Sequence, residues 1–418
     1  MAINSPRGTQ DILPPASFKW EQVEKTARKI SRRYNYRELR TPIFEYTELF
    51  RRGIGEATDI VEKEMYTFED RGGRSVTLRP EMTASVVRSF LENNLYGGVQ
   101  PTKFYYLGPM FRYERPQSGR YRQFHQFGVE VLGTNNPAVD GELIVMGIDF
   151  LEELGLSEFY VELNSIGCPE CRPEYVEELS AHMETHRDKL CSDCKRRLEK
   201  NPLRILDCDD CTEIIEEAPQ TLDYICDDCR RHFKSVRDYL DNMKLEYELV
   251  PRLVRGLDYY TNTVFEVKSD SLGAQDAIFS GGRYNGLVKE IGDRDVPGSG
   301  WALGLERLML LLQEKDEMFT SSLDVYIITI GEKAEKFSRT VLRRLRSSGF
   351  SVETDYLGRS VGSQMKDADR KDAGYSIIIG EEELDKGEFT IRDMSSGEET
   401  MVKVDRAVDY INKKINQV

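Results

Sequence analysis

Apolar residues recur at the spacing of an amphipathic helix near the start of this chain. Between residues 18 and 34 they follow one another at alternating intervals of three and four, which predicts a helix with one face toward a core. The residues at these positions are Trp20, Val23, Ala27, Ile30 and Tyr34. A more continuous apolar segment predicts a second helix near 139–154, and residues 75–90 predict a strand leading into a helix with Pro80 in its first turn.

A different pattern, alternating every second residue, marks the stretch 111–130. It is interrupted by Pro116 and Gly119, so it predicts two strands joined by a polar loop. Further along, residues 264–267 predict a strand, and 298–308 predict a glycine-rich strand that passes into an apolar helix.

Beyond residue 320 strands and helices alternate regularly. Strands and helices are predicted in the order 324–330, 333–347, 351–354, 361–373 and 376–379. This β-α-β-α-β order predicts a separate α/β domain at 324–418, with its boundary near 321–323.

Length and charge narrow the class of protein. With 418 residues the chain is too long for one ordinary core, so two or three domains are expected. A formal net charge of −15 argues against a protein that coats nucleic acid with its whole surface, although locally gathered cations would still bind it in a salt-dependent way. No apolar run approaches membrane-spanning length and the N-terminus lacks a signal-peptide core, so we expect a cytoplasmic protein with no membrane partner.

All eight cysteines fall within residues 168–229 as four CxxC pairs. These pairs are Cys168 and Cys171, Cys191 and Cys194, Cys208 and Cys211, and Cys226 and Cys229. Each CxxC turn directs two thiolates at one centre, and two turns complete a tetrahedral Zn²⁺ site. The pattern therefore predicts two structural zinc sites in a helical, cysteine-rich insertion at 167–235 with its own small core.

Two other interpretations of the cysteines stay open. Disulfides are disfavoured in a chain expected in the cytoplasm, and thiols without metal are the remaining alternative. The sequence does not decide which pairs share an ion. His182, His186 and His232 lie in the same region and could each replace a thiolate, although ordinary surface positions are the simpler expectation.

The stretch 111–130 also concentrates charge that suits a binding site. It contains four arginines together with Glu114 and Glu130. Arginine forks suit phosphate, whereas glutamates suit amines or the edges of bases. A hairpin covered by solvated salt bridges would look the same, so this stretch alone does not decide.

Several blocks together resemble the histidyl-tRNA synthetases, a family of class II aminoacyl-tRNA synthetases, from about residue 5 to the C-terminus. The matching blocks are 7–11 (RGTQD), 40–42 (RTP, the end of class II motif 1), 111–114 (FRYE, motif 2), 304–307 (GLER, motif 3), 255–260 (RGLDYY) and 280–284 (SGGRY). The last two are peculiar to the histidine enzymes. The resemblance implies a catalytic domain of α+β class at 1–323, built on an antiparallel sheet and interrupted by the insertion, with an anticodon-binding domain at 324–418.

The resemblance implies a ligase that activates L-histidine with ATP, accompanied by Mg²⁺, and transfers it to the 3′ end of tRNA(His). It implies that Arg112, Arg255 and Arg307 are catalytic, Arg112 and Arg255 beside the α-phosphate and Arg307 on the γ-phosphate. ATP would also be held by Glu114, Arg120 and Phe124. The residues 115–122 would reach the acceptor stem, and His125 would face the tRNA end without acting as a general base.

The family's histidine pocket maps onto another set of residues. The resemblance implies that Glu81 and Thr83 bind the α-ammonium group, and that Gln126, Glu130, Tyr259 and Tyr260 bind the imidazole. It also implies a homodimer built on motif 1. In the last domain, Lys366, Arg370 and Lys371 are either a face that contacts the tRNA backbone or part of a solvated helix.

Two other functions are weighed against this one. A histidine-binding regulatory subunit of ATP phosphoribosyltransferase shares the synthetase core, but such paralogues tend to lose the anticodon module and some activation residues. A zinc-dependent nucleic-acid-binding protein is suggested by the CxxC pairs alone. A dinucleotide-binding enzyme is disfavoured because no GxGxxG follows a strand.

Overall fold

The computed structural model describes residues 3–55, 58–273, 276–313 and 323–415. The chain divides into two compact units, Met1–Phe319 and Thr320–Val418. Residues 321–322 of the predicted domain boundary lie outside the described residues. No helix in the described ranges is both long enough and apolar enough to cross a bilayer.

The first unit contains helices of very different length. They are α1 (Ala16–Arg33), α2 (Thr47–Ile54), α3 (Thr83–Glu92), α4 (Ala138–Glu153), α5 (Arg172–Thr185), α6 (Ser192–Lys200), α7 (Thr212–Glu216), α8 (Thr221–Tyr224), α9 (Asp227–Asn242), α10 (Leu287–Gly292) and α11 (Leu305–Leu311). The helix predicted from residue 80 begins at Thr83 instead. Pro80 lies before it in a bend that follows β4, where its carbonyl accepts a hydrogen bond from a side chain.

The strands of the first unit form two sheets in its described residues. They are β1 (Arg37–Glu38), β2 (Phe44–Tyr46), β3 (Tyr66–Glu69), β4 (Ser75–Leu78), β5 (Thr102–Phe111), β6 (Gln123–Leu132), β7 (Tyr160–Ser165), β8 (Glu248–Leu249), β9 (Thr261–Lys268), β10 (Ala277–Arg283) and β11 (Gly298–Gly304). The larger sheet has the order β1-β5-β6-β11-β10-β9-β7-β8, and the smaller has the order β2-β4-β3. In the larger sheet β1 with β5 and β7 with β8 are parallel pairs, and the other neighbours are antiparallel.

The larger sheet has one apolar and one polar face because successive side chains on a strand point to opposite sides. On β6, Phe127, Val129 and Val131 are buried in a cluster that also holds residues of α1, α4 and α9. Gln126 and Glu130 alternate with them and line a cleft on the opposite face. The hairpin predicted from residues 111–130 is present, but its first strand begins at Thr102. Phe111 is the only residue of 111–130 that belongs to this first strand.

The cysteine-rich segment occupies the connection from β7 to β8. Helices α5 to α9 lie in it, and α9 continues to Asn242, beyond the predicted end at 235. A small cluster of the segment's own residues is present around Cys171, Ile225 and Cys229, but other buried residues of the segment join a larger cluster. Tyr175 and Leu179 of α5 belong to the same apolar cluster as Val86 and Phe90 of α3, so the segment packs as part of the first unit.

The second unit is an α/β sandwich of its own. Its described elements are β12 (Leu323–Thr329), α12 (Glu332–Ser347), β13 (Val352–Thr354), α13 (Val361–Arg370), β14 (Ala373–Ile379), α14 (Glu381–Lys386), β15 (Glu388–Asp393), β16 (Glu399–Lys403) and α15 (Ala407–Ile415). The sheet order is β13-β12-β14-β15-β16, parallel in its first three strands. Helix α13 ends before the predicted residue 373, because Asp372 adopts a left-handed φ of 50° and β14 starts immediately after it.

Candidate active site

A cleft of about 740 Å³ lies on the polar face of the larger sheet. Every residue that the sequence predicted for ATP or histidine contributes to its lining: Glu81, Thr83, Arg112, Glu114, Arg120, Phe124, Gln126, Glu130, Arg255, Tyr259, Tyr260 and Arg307. These residues are drawn from segments far apart in the chain. The fold thus brings together a set that sequence resemblance alone had connected.

The loop between β5 and β6 carries two arginines and a glutamate that line the cleft. The Nε atom of Arg112 donates to the carbonyl of Pro80 at 2.8 Å, and its guanidinium lies 5.3 Å from the centroid of the Phe124 ring. The Glu114 carboxylate lies 3.8 Å from the Arg112 guanidinium and 3.4 Å from that of Arg120. Glu114 therefore holds two cations near each other.

The other two functional candidates among the arginines are anchored on the neighbouring strands. Arg255 forms an ion pair with Glu266 of β9 and donates to the Ser280 hydroxyl of β10 at 2.5 Å. The Nη1 atom of Arg307, on α11, donates to the carbonyl of Ala277 at 2.9 Å. Burial lowers the pKa of Arg307, yet a guanidinium stays charged at neutral pH. Both cations are held in position by the protein before any ligand binds.

Two buried carboxyl groups lie in the same cleft. Glu81 accepts hydrogen bonds from the backbone N–H groups of Thr83 at 2.7 Å and Ala84 at 2.9 Å. Glu130 accepts from the hydroxyls of Thr83 at 2.7 Å and Tyr284 at 2.5 Å. Burial raises the pKa of Glu81, and it raises the pKa of Glu130 to about 8. The carboxyl groups therefore favour a proton or a bound cation.

Glycines make room for Glu130. In the register of the sheet Gly300 of β11 lies opposite Glu130, and Gly128 of β6 lies opposite Tyr106 of β5. A Cβ atom at Gly300 would lie 1.9 Å from the Glu130 carboxylate, and one at Gly128 would lie 2.3 Å from the Tyr106 ring. Any larger residue at these two positions would displace the groups that line the cleft.

Aromatic residues form a wall of the cleft beside these carboxyl groups. The rings of Tyr259 and Tyr260 are 4.7 Å apart, and Tyr259 meets Tyr284 edge to face at 5.7 Å. Nearby, the Oε1 atom of Gln126 is buried without a hydrogen-bond partner within the described ranges, as is Nε of Arg255. Unpaired buried polar atoms of this kind are costly unless a ligand or water satisfies them.

The cysteines form two clusters of four, which we call cluster 1 (Cys168, Cys171, Cys226 and Cys229) and cluster 2 (Cys191, Cys194, Cys208 and Cys211). The sulfur atoms of each cluster lie within 4.8 Å of one another. Individual separations are 3.7 Å for Cys168 and Cys171 and 3.9 Å for Cys171 and Cys229. A tetrahedral zinc ion with bonds of about 2.3 Å would set its sulfur ligands about 3.8 Å apart, so both sets fit this ion.

The thiols within a cluster differ in their electrostatics. Burial raises the pKa of Cys168 to about 11, and it raises the pKa of Cys194 and Cys229. Backbone N–H donors lower the pKa of Cys191 and Cys226. Full ionisation of four adjacent thiols requires a cation, which the donor set of each cluster is suited to bind.

None of the histidines proposed as alternative ligands joins a cluster. His182 pairs with the carbonyl of Ile214 at 3.0 Å. His232 is not an ordinary surface residue: its Nε2 atom lies 2.7 Å from the buried Asp140 carboxylate, which also binds Arg283 at 2.8 Å. His125 rests against the Trp20 ring and lies 2.9 Å from the Glu306 carboxylate, so it packs beneath α11.

Sequence reasoning missed several residues that complete the cleft. Tyr106 reaches Glu130 at 3.4 Å, and the signal for it was the glycine that faces it on β6. Glu266 neutralises Arg255, and Lys268 lies 3.5 Å from Glu266, but a strand pattern does not show which polar residue faces a site. Arg204 reaches the cleft from the cysteine-rich segment, and nothing in the local sequence indicates that contact.

Comparisons with known proteins agree with this geometry. A family model described as histidyl-tRNA synthetase matches residues 8–308, and one described as an anticodon binding domain matches residues 324–414. A histidine–tRNA ligase of Halothermothrix orenii is 59% identical over 419 residues, which cover 99% of this chain and 100% of that protein. One of Desulforamulus reducens is 52% identical over 418 residues, with the same coverage.

A solved structure extends the likeness to three dimensions. The crystal structure of apo histidyl-tRNA synthetase from S. aureus has a TM-score of 0.83 and 40% sequence identity, and the match covers 98% of this chain and 100% of that one. The predicted α+β class, with its largely antiparallel catalytic sheet and its C-terminal α/β domain, is confirmed. The chain therefore belongs to the histidyl-tRNA synthetase family.

Proposed function

We propose that the cleft of the first unit joins L-histidine to ATP and that the chain then transfers the histidyl group to the 3′ end of tRNA(His). The relatives that match this chain over their full length are histidine–tRNA ligases, which supports this activity. The observation that carries the proposal is the meeting of Arg112, Arg255 and Arg307 around one cleft with the buried Glu81 and Glu130. Such a site suits a polyanion beside a cationic amino acid.

The first step brings two anions together. A carboxylate oxygen of histidine attacks the α-phosphorus of ATP, and the bond from that phosphorus to the pyrophosphate oxygen breaks. Placement and charge stabilisation are the protein's contribution, and no protein nucleophile takes part. Arg112 and Arg255 stabilise the α-phosphate, Arg112 also orients the carboxylate, and Arg307 binds the γ-phosphate. Mg²⁺ enters with ATP as part of the substrate complex.

The nucleotide would lie along the β5–β6 loop. Phe124 offers a ring for stacking against adenine, next to the Arg112 guanidinium 5.3 Å away. Glu114 and Arg120, paired at 3.4 Å, hold the base and the phosphates. An anionic ligand would weaken the ion pair of Glu114 and Arg120, because Arg120 would gain a second acceptor.

The histidine would lie at the end of the cleft that is lined by the carboxyl groups of Glu81 and Glu130. Glu81 and Thr83 receive the α-ammonium group, whose charge lets the raised pKa of Glu81 fall and its proton leave. Gln126, Glu130, Tyr259 and Tyr260 surround the imidazole, and the unpaired Oε1 of Gln126 is an acceptor for a ring N–H. A side chain without ring nitrogens would leave these groups unpaired, which is the basis of selection.

Binding of tRNA is assigned to the loop between β5 and β6 and to the second unit. The residues 115–122 approach the acceptor end, and the second unit binds the anticodon, in agreement with the family model that it matches. On α13, Lys366 and Arg370 are exposed, whereas Lys371 is paired with Glu353 at 2.5 Å. Lys366 and Arg370 are thus the better candidates for backbone contacts.

A homodimer would use the smaller sheet of the first unit. Large apolar side chains are exposed on and beside it, namely Ile43, Phe44, Tyr46 and Phe68. Exposed apolar groups that cluster in this way are typical of protein interfaces. They adjoin the residues 40–42 that resemble motif 1. Light scattering should give twice the chain mass, and Phe44→Asp should shift it toward the monomer.

Structural Zn²⁺ is proposed for both clusters. Four sulfur ligands close the coordination sphere and leave no open position, so the ion would stabilise the fold without entering the reaction. Thiolates of this kind persist in a reducing compartment, and the cytoplasmic location stays a prediction.

One experiment tests the assignment. Pyrophosphate exchange is measured with each of the twenty amino acids, and the zinc content of the same sample is determined. Exchange that depends on histidine supports a ligase, and its absence in folded protein would favour a regulatory paralogue. Retention of all three arginines in the cleft argues against that paralogue.

A further inference from the structure

Residues next to the cysteines of cluster 1 are hydrogen-bonded to the segment that carries Tyr260 and leads into β9. Cys168 and Cys171 follow β7, and Cys226 and Cys229 flank the start of α9. Sulfur separations of 3.9 Å join Cys168 to Cys226 and Cys171 to Cys229. The cluster therefore closes the connection that leaves the sheet at β7 and returns through α9.

The turn that carries Cys168 is bonded to the start of β9. The N–H of Ile166 donates to the carbonyl of Asn262 at 2.8 Å, and the N–H of Asn262 donates to the carbonyl of Gly167 at 2.9 Å. The side-chain amide of Asn262 donates to the sulfur of Cys229 at 3.2 Å. One residue of β9 is thus tied to both halves of cluster 1.

A half-buried guanidinium makes the second connection. Arg172, next to Cys171, donates to the carbonyl of Tyr260 at 2.6 Å. The same guanidinium donates to the carbonyls of Ile166 and Gly167, each at 3.2 Å. Three carbonyls, from the cysteine turn and from the cleft wall, therefore share one cation. A bond to a charged donor of this kind is stronger than a neutral one.

We propose that a tetrahedral metal ion in cluster 1 fixes the position of Tyr260, and so the affinity of the cleft for histidine, through Arg172 and Asn262. This inference rests on the proposed function of the cleft. Arg172 and Asn262 are positioning residues, since they meet the ligand pocket only through the backbone of Tyr260 and β9. Donors behind metal ligands are known to orient them, and here the orientation passes on to the pocket.

Cluster 2 provides an internal comparison. The segment between its cysteine pairs contacts residues 255–258 just after α6 ends. Asn201 donates to Asp258 at 2.8 Å on the surface, and Arg204 donates to the carbonyl of Arg255 at 3.4 Å. These contacts are exposed or long. Arg255 is also anchored independently by Glu266 and Ser280. An ion in cluster 2 is therefore expected to matter less for histidine.

The test compares two matched cysteine variants in the full-length chain. Cys226→Ser and Cys208→Ser each change a half-buried first cysteine of a CxxC pair, one in each cluster. Zinc content is measured by mass spectrometry, and KM for histidine and for ATP by pyrophosphate exchange. We expect two zinc ions in the unmodified protein and one in each variant. We expect KM for histidine to rise roughly tenfold in Cys226→Ser and less than about twofold in Cys208→Ser.

Two further variants keep all eight cysteines and decide the matter if Cys226→Ser does not fold. Arg172→Lys keeps the charge but loses the fork that reaches three carbonyls, and Asn262→Gly keeps the left-handed backbone at φ 51° but loses the donor to sulfur. Both should retain two zinc ions and raise KM for histidine several-fold, with KM for ATP unchanged.

Each outcome is decisive. Unchanged KM for histidine in Arg172→Lys and Asn262→Gly, equal effects of the two cysteine variants, or an unmodified protein without zinc would overturn the inference. Loss of histidine-dependent exchange in the zinc-loaded unmodified protein would instead reject the proposed function, and calorimetric binding of histidine would still test the metal's role.

Discussion

The carboxyl groups of the cleft and the thiols of the two clusters pose the same physical problem and solve it differently. Glu81 and Glu130 are acidic groups buried near each other, and backbone N–H groups and hydroxyls of the protein bind them. The thiols of each cluster are also gathered in one place, within 4.8 Å, but their nearest partners are largely one another. Protein groups satisfy the two carboxyl groups, whereas the proposed zinc ions would satisfy the thiols.

The difference between the carboxyl groups and the thiols indicates how long a bound cation would stay at each site. Glu81, whose pKa is raised by burial, can exchange its proton for the ammonium group of a substrate and take the proton back afterwards. Four thiolates with a closed tetrahedral arrangement gain most from a cation that never leaves. Under the proposed function, the same chain would have one site for the ammonium group of a substrate, which leaves again, and two sites for a metal ion that stays bound.

Removal of metal from both clusters should have the largest effect. A strong chelator under mild denaturant should lower the thermal midpoint of the first unit by about 5 °C or more, because the proposed ions would bind the folded state more tightly than the unfolded one. Differential scanning calorimetry measures this. A saturating concentration of histidine in place of the chelator should raise the midpoint, and an unchanged midpoint after verified metal loss would show that the clusters do not need an ion.

Arg255→Ala should reduce pyrophosphate exchange next most strongly. Loss of a preorganised cation at the reacting phosphate costs about 10²-fold or more in kcat. Arg255→Lys should recover part of the loss, since it restores charge without the fork. The fold should persist, because Lys268 remains 3.5 Å from the abandoned Glu266. Near-normal exchange in Arg255→Ala would contradict its assigned role.

Glu81→Gln tests the proposed site for the ammonium group. Removing the negative charge that receives the α-ammonium group should lower kcat/KM for histidine by about 30-fold or more, with a smaller change for ATP. Thr83→Ser is the matched control, since it keeps the hydroxyl that donates to Glu130. Equal losses for histidine and ATP would indicate a general structural defect rather than a lost ammonium site.

The smallest effect concerns pH. In the folded protein Glu130 holds its proton up to about pH 8, whereas its ordinary pKa is 4.5. Folding therefore takes up a proton between these pH values, and the free energy of unfolding should fall as pH rises through this window.

Urea unfolding at several pH values measures this effect. The free energy of unfolding should depend less steeply on pH in Glu130→Gln. Bound histidine should flatten the dependence in the unmodified protein, because an imidazole N–H that donates to Glu130 favours the ionised form of this carboxyl group. A dependence that survives in Glu130→Gln would assign the proton to another group.

Prediction from sequence succeeded where a local pattern or a motif carried the information. The helix at 18–34 is observed as α1, and the alternation after residue 320 is observed as β12 to β14 with their helices. Weakly apolar strands were missed: β15 buries only Phe389 and Ile391 among charged neighbours. The predicted role of each cleft residue stays a prediction, although all of them line one cavity.

The amino-acid sequence by itself determined the family, the two-part organisation and the identity of the candidate metal ligands, because motifs and periodicity are local properties. Only the tertiary structure decided which cysteine pairs meet, that Asp140 takes both His232 and Arg283, and that Arg172 reaches Tyr260. These contacts join residues that are distant in the chain. Burial and register, which set them, are consequences of the packed fold and have no signature in neighbouring residues.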